Sequence, residues 1–470
     1  MSTNFCGIDF GTTNSSVALS DGQHVRVLPI DEFNVNPTSL PSLLYISKDG
    51  EQIVGRQAAN TFIERNVDRE VILKQVELGI HIQGYVGGEG DNDYGRIVNK
   101  DPTNVTEAVS AKAMIEVNSP GRLFQSLKTL LRMKQFKGTE VFGTQYQIEE
   151  LTAIILRKIK AAADEAAGQD IDSAVFGRPV RFSTREGENE TAERRLETAA
   201  RLAGFKNISF FYEPVGACVE YAMTDERKQR LLVVDIGGGT FDVCIMEFGG
   251  QHGTAERLKN SKILSVSGVP IAGDAIDQEI TREKMFPCFG SNARYGPSNL
   301  KFPQYLFNTI IDWQNIYKLN TEETINWLIA AESSSDQPET VRALRSLIQR
   351  NYGYPLARAV ESAKIKLSSL PNAYIDFEKT DIDVHEFIHQ DELAEIMRHM
   401  LEKMEESLAE AEKLAGIGPG DIDRILTTGG TSLIPAVRNM LKRRYGPDKL
   451  HSRDTFTSVA SGLAIVAQHT

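Results

Sequence analysis

The stretch FCGIDFGTTNSSVAL (5–19) decides the reading of this chain. An apolar run leads to Asp9, a Gly/Thr turn follows, and a second apolar run closes it: two strands joined by a tight turn. Gly11 lets backbone approach a ligand closely. Successive turn N–H groups form an anion-binding nest, and Thr12, Thr13 and Asn14 add polar groups beside it. Asp9, at the strand end, is suited to Mg²⁺, directly or through water, because that ion prefers oxygen ligands and keeps much of its hydration. LLVVDIGGGTFDVCIM (231–246) repeats the plan, with Asp235 placed 226 positions after Asp9 and followed by Gly237, Gly238, Gly239 and Thr240. Facing each other, two such hairpins would clamp a polyphosphate and its metal. A repeat at half the chain length suggests two domains of like topology and is too long a period for a solenoid.

Around the hairpins, strands and helices alternate, which predicts α/β architecture. Helical spacing runs through 148–168 and 188–205, each closing on a glycine. A strand is expected at 172–180, and 208–223 passes from strand to helix through Glu213-Pro214. Amphipathic helices are expected at 356–370 and 391–416, the latter with one solvated and one packed face. A third glycine turn, Thr427-Thr428-Gly429-Gly430-Thr431, lies between a strand and a helix within 422–446 and suits a nucleoside or phosphate against backbone. Residues 79–104, 183–190 and 287–304 read as insertions or poorly ordered loops.

Composition sets the outer limits. With 470 residues the chain has room for about two to four domains. Its 52 basic and 64 acidic residues give a net charge of −12, which argues against bulk nucleic-acid binding but not against a local nucleotide site. Cys6, Cys218, Cys244 and Cys288 form no C-x-x-C pair, so neither a disulfide framework nor a thiolate zinc site is expected. The N-terminus lacks the form of a secretion signal, and no apolar run reaches membrane-spanning length. A soluble cytoplasmic protein is expected.

Taken together, the motifs resemble the ATPase domain of the 70-kDa heat-shock (DnaK-type) chaperone family, within the actin-like ATPase superfamily. GIDFGTTNS (7–15) and DIGGGTFDV (235–243) are similar to its two phosphate loops, YEPVGA (212–217) to its connecting segment, VESAKIKLS (360–368) to its adenosine-contacting helix, and TTGGTSLIP (427–435) to its adenosine loop. The resemblance implies an actin-like, ribonuclease H-like fold of two lobes around a nucleotide cleft, and an ATP- and Mg²⁺-dependent ATPase. Lobe I would span 1–226 with an inserted subdomain near 41–121. Lobe II would span 227–455 with an insertion near 275–375, and 456–470 would return as a helix to lobe I.

By the same resemblance, Lys128 matches the catalytic lysine, with Glu213, Asp235, Thr240 and Asp242 also at the reaction centre. Gly11 to Asn14, Gly237 to Thr240, Glu361, Lys364, Ser368, Gly429 and Gly430 match nucleotide contacts, and Asp9 and Asp235 match the Mg²⁺-associated aspartates. Three positions depart from the family: Ile365 replaces a basic residue stacking on adenine, Leu433 an arginine, and Val215 a threonine. Neither aliphatic residue supplies what a guanidinium does for planar recognition. Pro179 resembles the family's proline switch. The chain ends at ASGLAIVAQHT (460–470), where the family continues into a linker and peptide-binding domain, so the sequence resembles stand-alone YegD-type bacterial chaperone-like proteins, whose protein partners would act in trans. Two rival readings share the fold: a small-molecule kinase and a non-hydrolysing nucleotide sensor or scaffold. His385-Glu386-Phe387-Ile388-His389 fits the zinc-protease pattern H-E-x-x-H, but it is expected to straddle a strand end and a helix start rather than lie on one helix.

Overall fold

Both quoted stretches fold as antiparallel hairpins, and each forms the middle of a mixed sheet. The structure, a computed structural model, describes residues 5–85, 106–183, 185–222, 227–248, 261–452 and 458–469. In the first sheet, β1 (Phe5–Phe10) pairs with β2 (Asn14–Ser20) from Phe5 opposite Ser20 to Phe10 opposite Ser15. β3 (Val25–Val27) extends it beyond β2, while β4 (Ser173–Arg178) and β5 (Asn207–Tyr212) add in parallel on the other side of β1. In the second sheet, β6 (Gln229–Ile236) and β7 (Phe241–Phe248) form the hairpin and β8 (Lys262–Val269) extends it. There β9 (Arg424–Thr428) and β10 (Leu450–Ser452) are the parallel strands. The orders β5-β4-β1-β2-β3 and β10-β9-β6-β7-β8 match strand for strand. Cys6, Ile8 and Phe10 on β1, and Leu232, Val234 and Ile236 on β6, are fully buried. Central strands covered on both faces read as continuous apolar runs, which is why these two are visible in the sequence.

The helices that matter for the site are α1 (Leu127–Leu131), α2 (Ile148–Ala167), α3 (Glu188–Ala203), α4 (Glu213–Ala222), α5 (Gly273–Ile280), α6 (Gly353–Leu367), α7 (Arg398–Ala415), α8 (Pro435–Tyr445) and α9 (Ser458–Ala467). α2 starts where the Glu150 carboxylate accepts from the Gln147 N–H at 2.7 Å and ends at Gly168, φ 66°. α3 ends in the same left-handed way at Gly204, φ 110°. The last helix, α9, packs on β1 and α4. Its approach needs Gly462, because a Cβ there would sit 1.7 Å from the Gly216 carbonyl oxygen.

Four expectations need correction. The helix expected from 356 begins at Gly353, since a proline such as Pro355 is tolerated in a first helical turn. The helix expected over 391–416 is two, Gln390–Ile396 and α7, parted at Met397. Residues 287–304 are not loose: Phe289, Ala293 and Phe302 are core residues, and Phe302 packs against Tyr295 at 4.8 Å between ring centroids. Of the Gly- and Asn-rich stretch 79–104, residues 79–85 belong to a long strand, Leu73–Tyr85, paired antiparallel with Thr106–Glu116. Residues 86–104, like Thr184 in the charged loop, Met223 and Thr470, lie outside the described residues.

The H-E-x-x-H motif also differs from expectation. It lies wholly within a strand, Ile382–His389, paired antiparallel with Asn372–Lys379. At ~3.3 Å per residue the two imidazoles are anchored about 13 Å apart, too far to share one ion. His385 faces Asp376 at 3.0 Å, Glu386 pairs with Lys284 at 3.2 Å, and His389 accepts from the Asp391 N–H as a helix cap. No helix among the described residues is long and apolar enough to cross a membrane.

Candidate nucleotide site

The two hairpin turns meet. A Cβ built on Gly238 would lie 1.9 Å from Thr13 Oγ1, and one on Gly239 would lie 3.0 Å from Thr12 Oγ1. Thus Thr13 fills the space a side chain at 238 would need, and Thr12 crowds position 239. Between the turns opens a cavity of about 640 Å³. The first turn is held by Ser42, whose N–H donates to the Thr13 carbonyl at 2.8 Å and whose hydroxyl donates to that of Gly11 at 2.9 Å. The second is held by α5: the Gly273 and Asp274 N–H groups donate to the Gly237 and Gly238 carbonyls at 3.1 and 2.8 Å. Gly237 itself faces open space.

At the strand ends below the turns, charge is concentrated out of water. Lys128 and Glu213 are only 7 % and 6 % exposed, and Lys128 Nζ donates to Glu213 Oε1 at 2.6 Å. Lys128 comes from α1, entered through Ser126 at φ 57°, and Glu213 from the first turn of α4. Asp9 and Asp235 sit next to last on β1 and β6. Burial pushes the Asp9 carboxyl up to about 7, with repulsion from Glu213 adding and Lys128 opposing. Asp235 is held well above the usual carboxylate range by burial, then by Glu213, Asp9 and Asp242. For Lys128 burial works against the charge, but Glu213, Asp9 and Asp235 outweigh it and raise its pKa. One ammonium cannot balance several buried carboxylates, so without a further cation the raised carboxyls tend to hold protons, and a bound cation would favour their ionised form. The donor set is all oxygen, which fits a hard divalent ion such as Mg²⁺ at Asp9 and Asp235.

α6 and the third glycine turn supply further walls of the cavity. Glu361, Lys364 and Ile365 line it from α6 and Ser368 from its C-cap, at the i, i+3, i+4, i+7 spacing of one helix face. Lys364 is engaged within the protein, donating to Asp277 Oδ2 at 2.6 Å and to the Gly273 carbonyl at 3.1 Å. Glu361 likewise pairs with Arg358. Ile365 is 58 % exposed and presents a bare aliphatic surface. Gly429 and Gly430 also line the cavity, with Leu433. Gly429 has φ 77°, and a Cβ there would lie 2.2 Å from the Ile236 carbonyl oxygen, so β6 and the third turn touch backbone to backbone.

Every residue that the sequence brought forward for catalysis, nucleotide or metal lines this cavity except Asp242. Asp242 lies behind the second turn, 1 % exposed, and accepts from the Val180 N–H at 3.1 Å. It joins β7 to the chain just after Pro179, and its carboxyl is pushed up to about 7 by burial and by Glu213. The sequence reading missed Asp274, Ser39 and Arg438, which also line the cavity. The Gly273-Asp274 pair opening a helix was a readable signal. Arg438, one turn into α8, carried none, because its reach depends on how α8 leaves the third turn.

Comparison with known proteins fits this geometry. The Hsp70 protein family model matches residues 5–262 and 346–469. The chain belongs to the Hsp70 family. Its fold is therefore the actin-like ATPase fold, and the duplicated hairpin-centred sheets are that fold's two halves. Relatives include the chaperone protein DnaK from two strains of Thermus thermophilus, one 26 % identical over 98 % of this chain and the other 25 % identical over the same share. The chain spans about 60 % of the length of either DnaK. Residues 263–345, between the two matched stretches of this Hsp70 chain, supply α5 and the segments packed beside it.

Proposed function

We propose that this Hsp70-family chain is an ATP-binding, Mg²⁺-dependent ATPase module that works as a chaperone-like cytoplasmic protein with protein partners. In this reading lobe I spans 1–226, lobe II 227–455, and 456–470 closes back onto lobe I. The observation that carries it is the meeting of Thr12 and Thr13 with Gly238 and Gly239 above the buried Lys128–Glu213 pair. The β- and γ-phosphates of ATP lie between the two turns, on backbone N–H groups and threonine hydroxyls, with adenosine toward Glu361, Lys364, Ser368, Gly429 and Gly430. Mg²⁺, when bound at Asp9 and Asp235, supplies neutralisation of phosphate charge. Lys128 offsets the charge that develops as a water oxygen bonds to the γ-phosphorus and the bond to the ADP oxygen breaks. Glu213 holds the ammonium and keeps a second oxygen for the water's proton. Asp242 and Thr240 support that end of the second turn. Such chemistry is positioning and electrostatics.

The test is ATP turnover by the pure protein with no acceptor added, beside Lys128→Met. Removing one preorganised donor typically costs ~10²–10³-fold in rate, and that loss is the expected result. A protein that neither binds nor turns over ATP overturns the reading. Turnover only after a metabolite is added indicates a kinase, and binding heat without turnover indicates a sensor.

A further inference from the structure

Beside the nucleotide cavity lies a second one, of about 270 Å³. Thr13, Asp274 and Glu361 line both. The remaining walls are the rest of the α5 face that carries Asp274, continued by Thr281, together with Gln125 and Ser126 before α1, the first half of α6, and Ile310 to Gln314. Both α5 and Ile310 to Gln314 fall in residues 263–345, outside the stretches matched by the Hsp70 family model. The volume is below the ~300–1,000 Å³ of pockets for drug-sized ligands, and suits a monosaccharide rather than a nucleotide.

Its chemistry is one-sided. Asp274, Asp277, Asp312 and Glu361 line it; Arg358, the one cation among the lining residues, pairs with Glu361, and Lys364 pairs with Asp277 at 2.6 Å, which leaves Asp274 and Asp312 without an ion-pair partner among the described residues. Burial raises both Asp274 and Asp277, and Lys364 opposes the shift. Three of the six buried side-chain polar atoms without a hydrogen-bond partner among the described residues belong to residues of this one cavity: Thr13 Oγ1, Asp277 Oδ1 and Tyr354 Oη. Tyr354 is only 2 % exposed, so water does not reach its hydroxyl freely. A buried polar group left unpaired costs about 1–3 kcal/mol, which a ligand bearing matching groups would recover. Gln278 and Gln314 add amides, and Trp313 adds an aromatic face. Carboxylates select an ammonium, hydroxyls and amides select hydroxyls, and an aromatic wall favours a compact ring carrying positive charge.

We propose that this second cavity binds a small amine-bearing polyol, of the amino-sugar class, next to the phosphate turns. Binding is coupled to nucleotide through the shared Thr13, Asp274 and Glu361, and only this coupling rests on the nucleotide reading above. Two variants touch the second cavity and not the first: Asp312→Asn removes a carboxylate, and Ala357→Leu fills space from a helical position.

The probe is glucosamine, titrated calorimetrically into the full chain with and without ADP, after ADP binding has been measured alone. Glucosamine is expected to give saturable heat in the millimolar range or tighter, with an affinity that shifts when ADP is present. Loss of a hydrogen bond to a charged group weakens binding by about tenfold or more, so Asp312→Asn should do so, and Ala357→Leu should abolish it. Both variants should bind ADP as the wild type does. Glucose should bind at least about tenfold more weakly, having no ammonium. Glucose 6-phosphate should not bind. Absence of saturable glucosamine heat in a protein that binds ADP overturns the proposal and leaves the nucleotide reading intact. Glucosamine affinity unchanged in Ala357→Leu, or equal affinity for glucose, also overturns it. Failure of ADP to bind sinks the nucleotide reading, and the titration without ADP still decides the cavity.

Discussion

Gly237→Ala separates folding from phosphate binding at one atom. Gly237 lines the cavity between the two turns, and a Cβ built on it meets nothing within 4 Å. Its backbone is not left-handed, so alanine adopts it without strain. Its hydrogen bonds use groups that alanine keeps: the N–H donates to the Thr240 carbonyl at 3.3 Å, and the carbonyl accepts from the Gly273 N–H at 3.1 Å and from Thr431 Oγ1 at 2.8 Å. Folding should therefore be unharmed, and restricting the unfolded chain favours alanine by about 0.4–1 kcal/mol. If a phosphate occupies the open space, a methyl group intrudes on it. Overpacking of that kind costs about 1–3 kcal/mol. At about 1.4 kcal/mol per decade, affinity for ADP falls by about 5- to 150-fold. The assay is a thermal melt without ligand alongside calorimetric titration with MgADP. Gly238→Ala is the contrasting variant, since its Cβ would collide with Thr13 Oγ1 at 1.9 Å and should lower melting temperature as well as affinity. An unchanged melt together with unchanged ADP affinity in Gly237→Ala would refute the placement of phosphates at the second turn.

Other outcomes follow from the same geometry. The two halves are also tied away from the turns, where Asp68 accepts from Arg350 at 2.6 Å and from the Tyr352 hydroxyl at 2.9 Å, and the Phe62 and Trp313 rings lie 5.9 Å apart. The ion pair is exposed and worth ~0–1 kcal/mol, so Arg350→Ala should speed ADP release by no more than about fivefold in stopped flow. Phe62→Ala, which empties a buried ring site, should cost about 3–5 kcal/mol in denaturant melts. Arg350, then Tyr352, hold the Asp68 carboxyl below its ordinary range, so the tie is complete above that range and is lost as pH falls through the lowered value. ADP release that already accelerates between about pH 8 and pH 6 in step with this tie would contradict that sign. Ile365→Arg or Leu433→Arg returns a planar cation to the cavity wall and should tighten ADP by about 2- to 30-fold, read by calorimetry. His389→Ala removes a helix cap and should cost about 1 kcal/mol while leaving any thermal response to added zinc unaltered.

Much of the scaffold was legible because its signals are local. β1 and β6 each carry an apolar run, with an aspartate next to last before a glycine-rich turn, and the duplication repeats that signature in one chain. Gly168 and Gly204 marked helix ends for the same reason. Places where reading and structure parted were governed by partners distant in sequence. Residues 287–304 look like a loop by their prolines and glycines, yet Phe289 and Phe302 are drawn into the core of the second half. H-E-x-x-H looked like a helix boundary, but pairing with Asn372–Lys379 makes it strand, and strand geometry moves its imidazoles apart.

What the sequence determined by itself was therefore the set of parts: two glycine- and threonine-rich turns, their strand-end carboxylates, and a family's order of motifs. What only the tertiary structure decided was which groups share a space. It placed Lys128 against Glu213, 85 residues away, and put Asp242 behind the turn rather than in the cavity. It also brought Arg438 to the wall and opened a second cavity from Thr13, Tyr354 and Asp277. Turn chemistry depends on neighbouring φ and ψ angles and on residue type. Desolvation, charge coupling and unpaired polar atoms depend on what the folded chain packs around a group, and no local stretch of sequence carries that information.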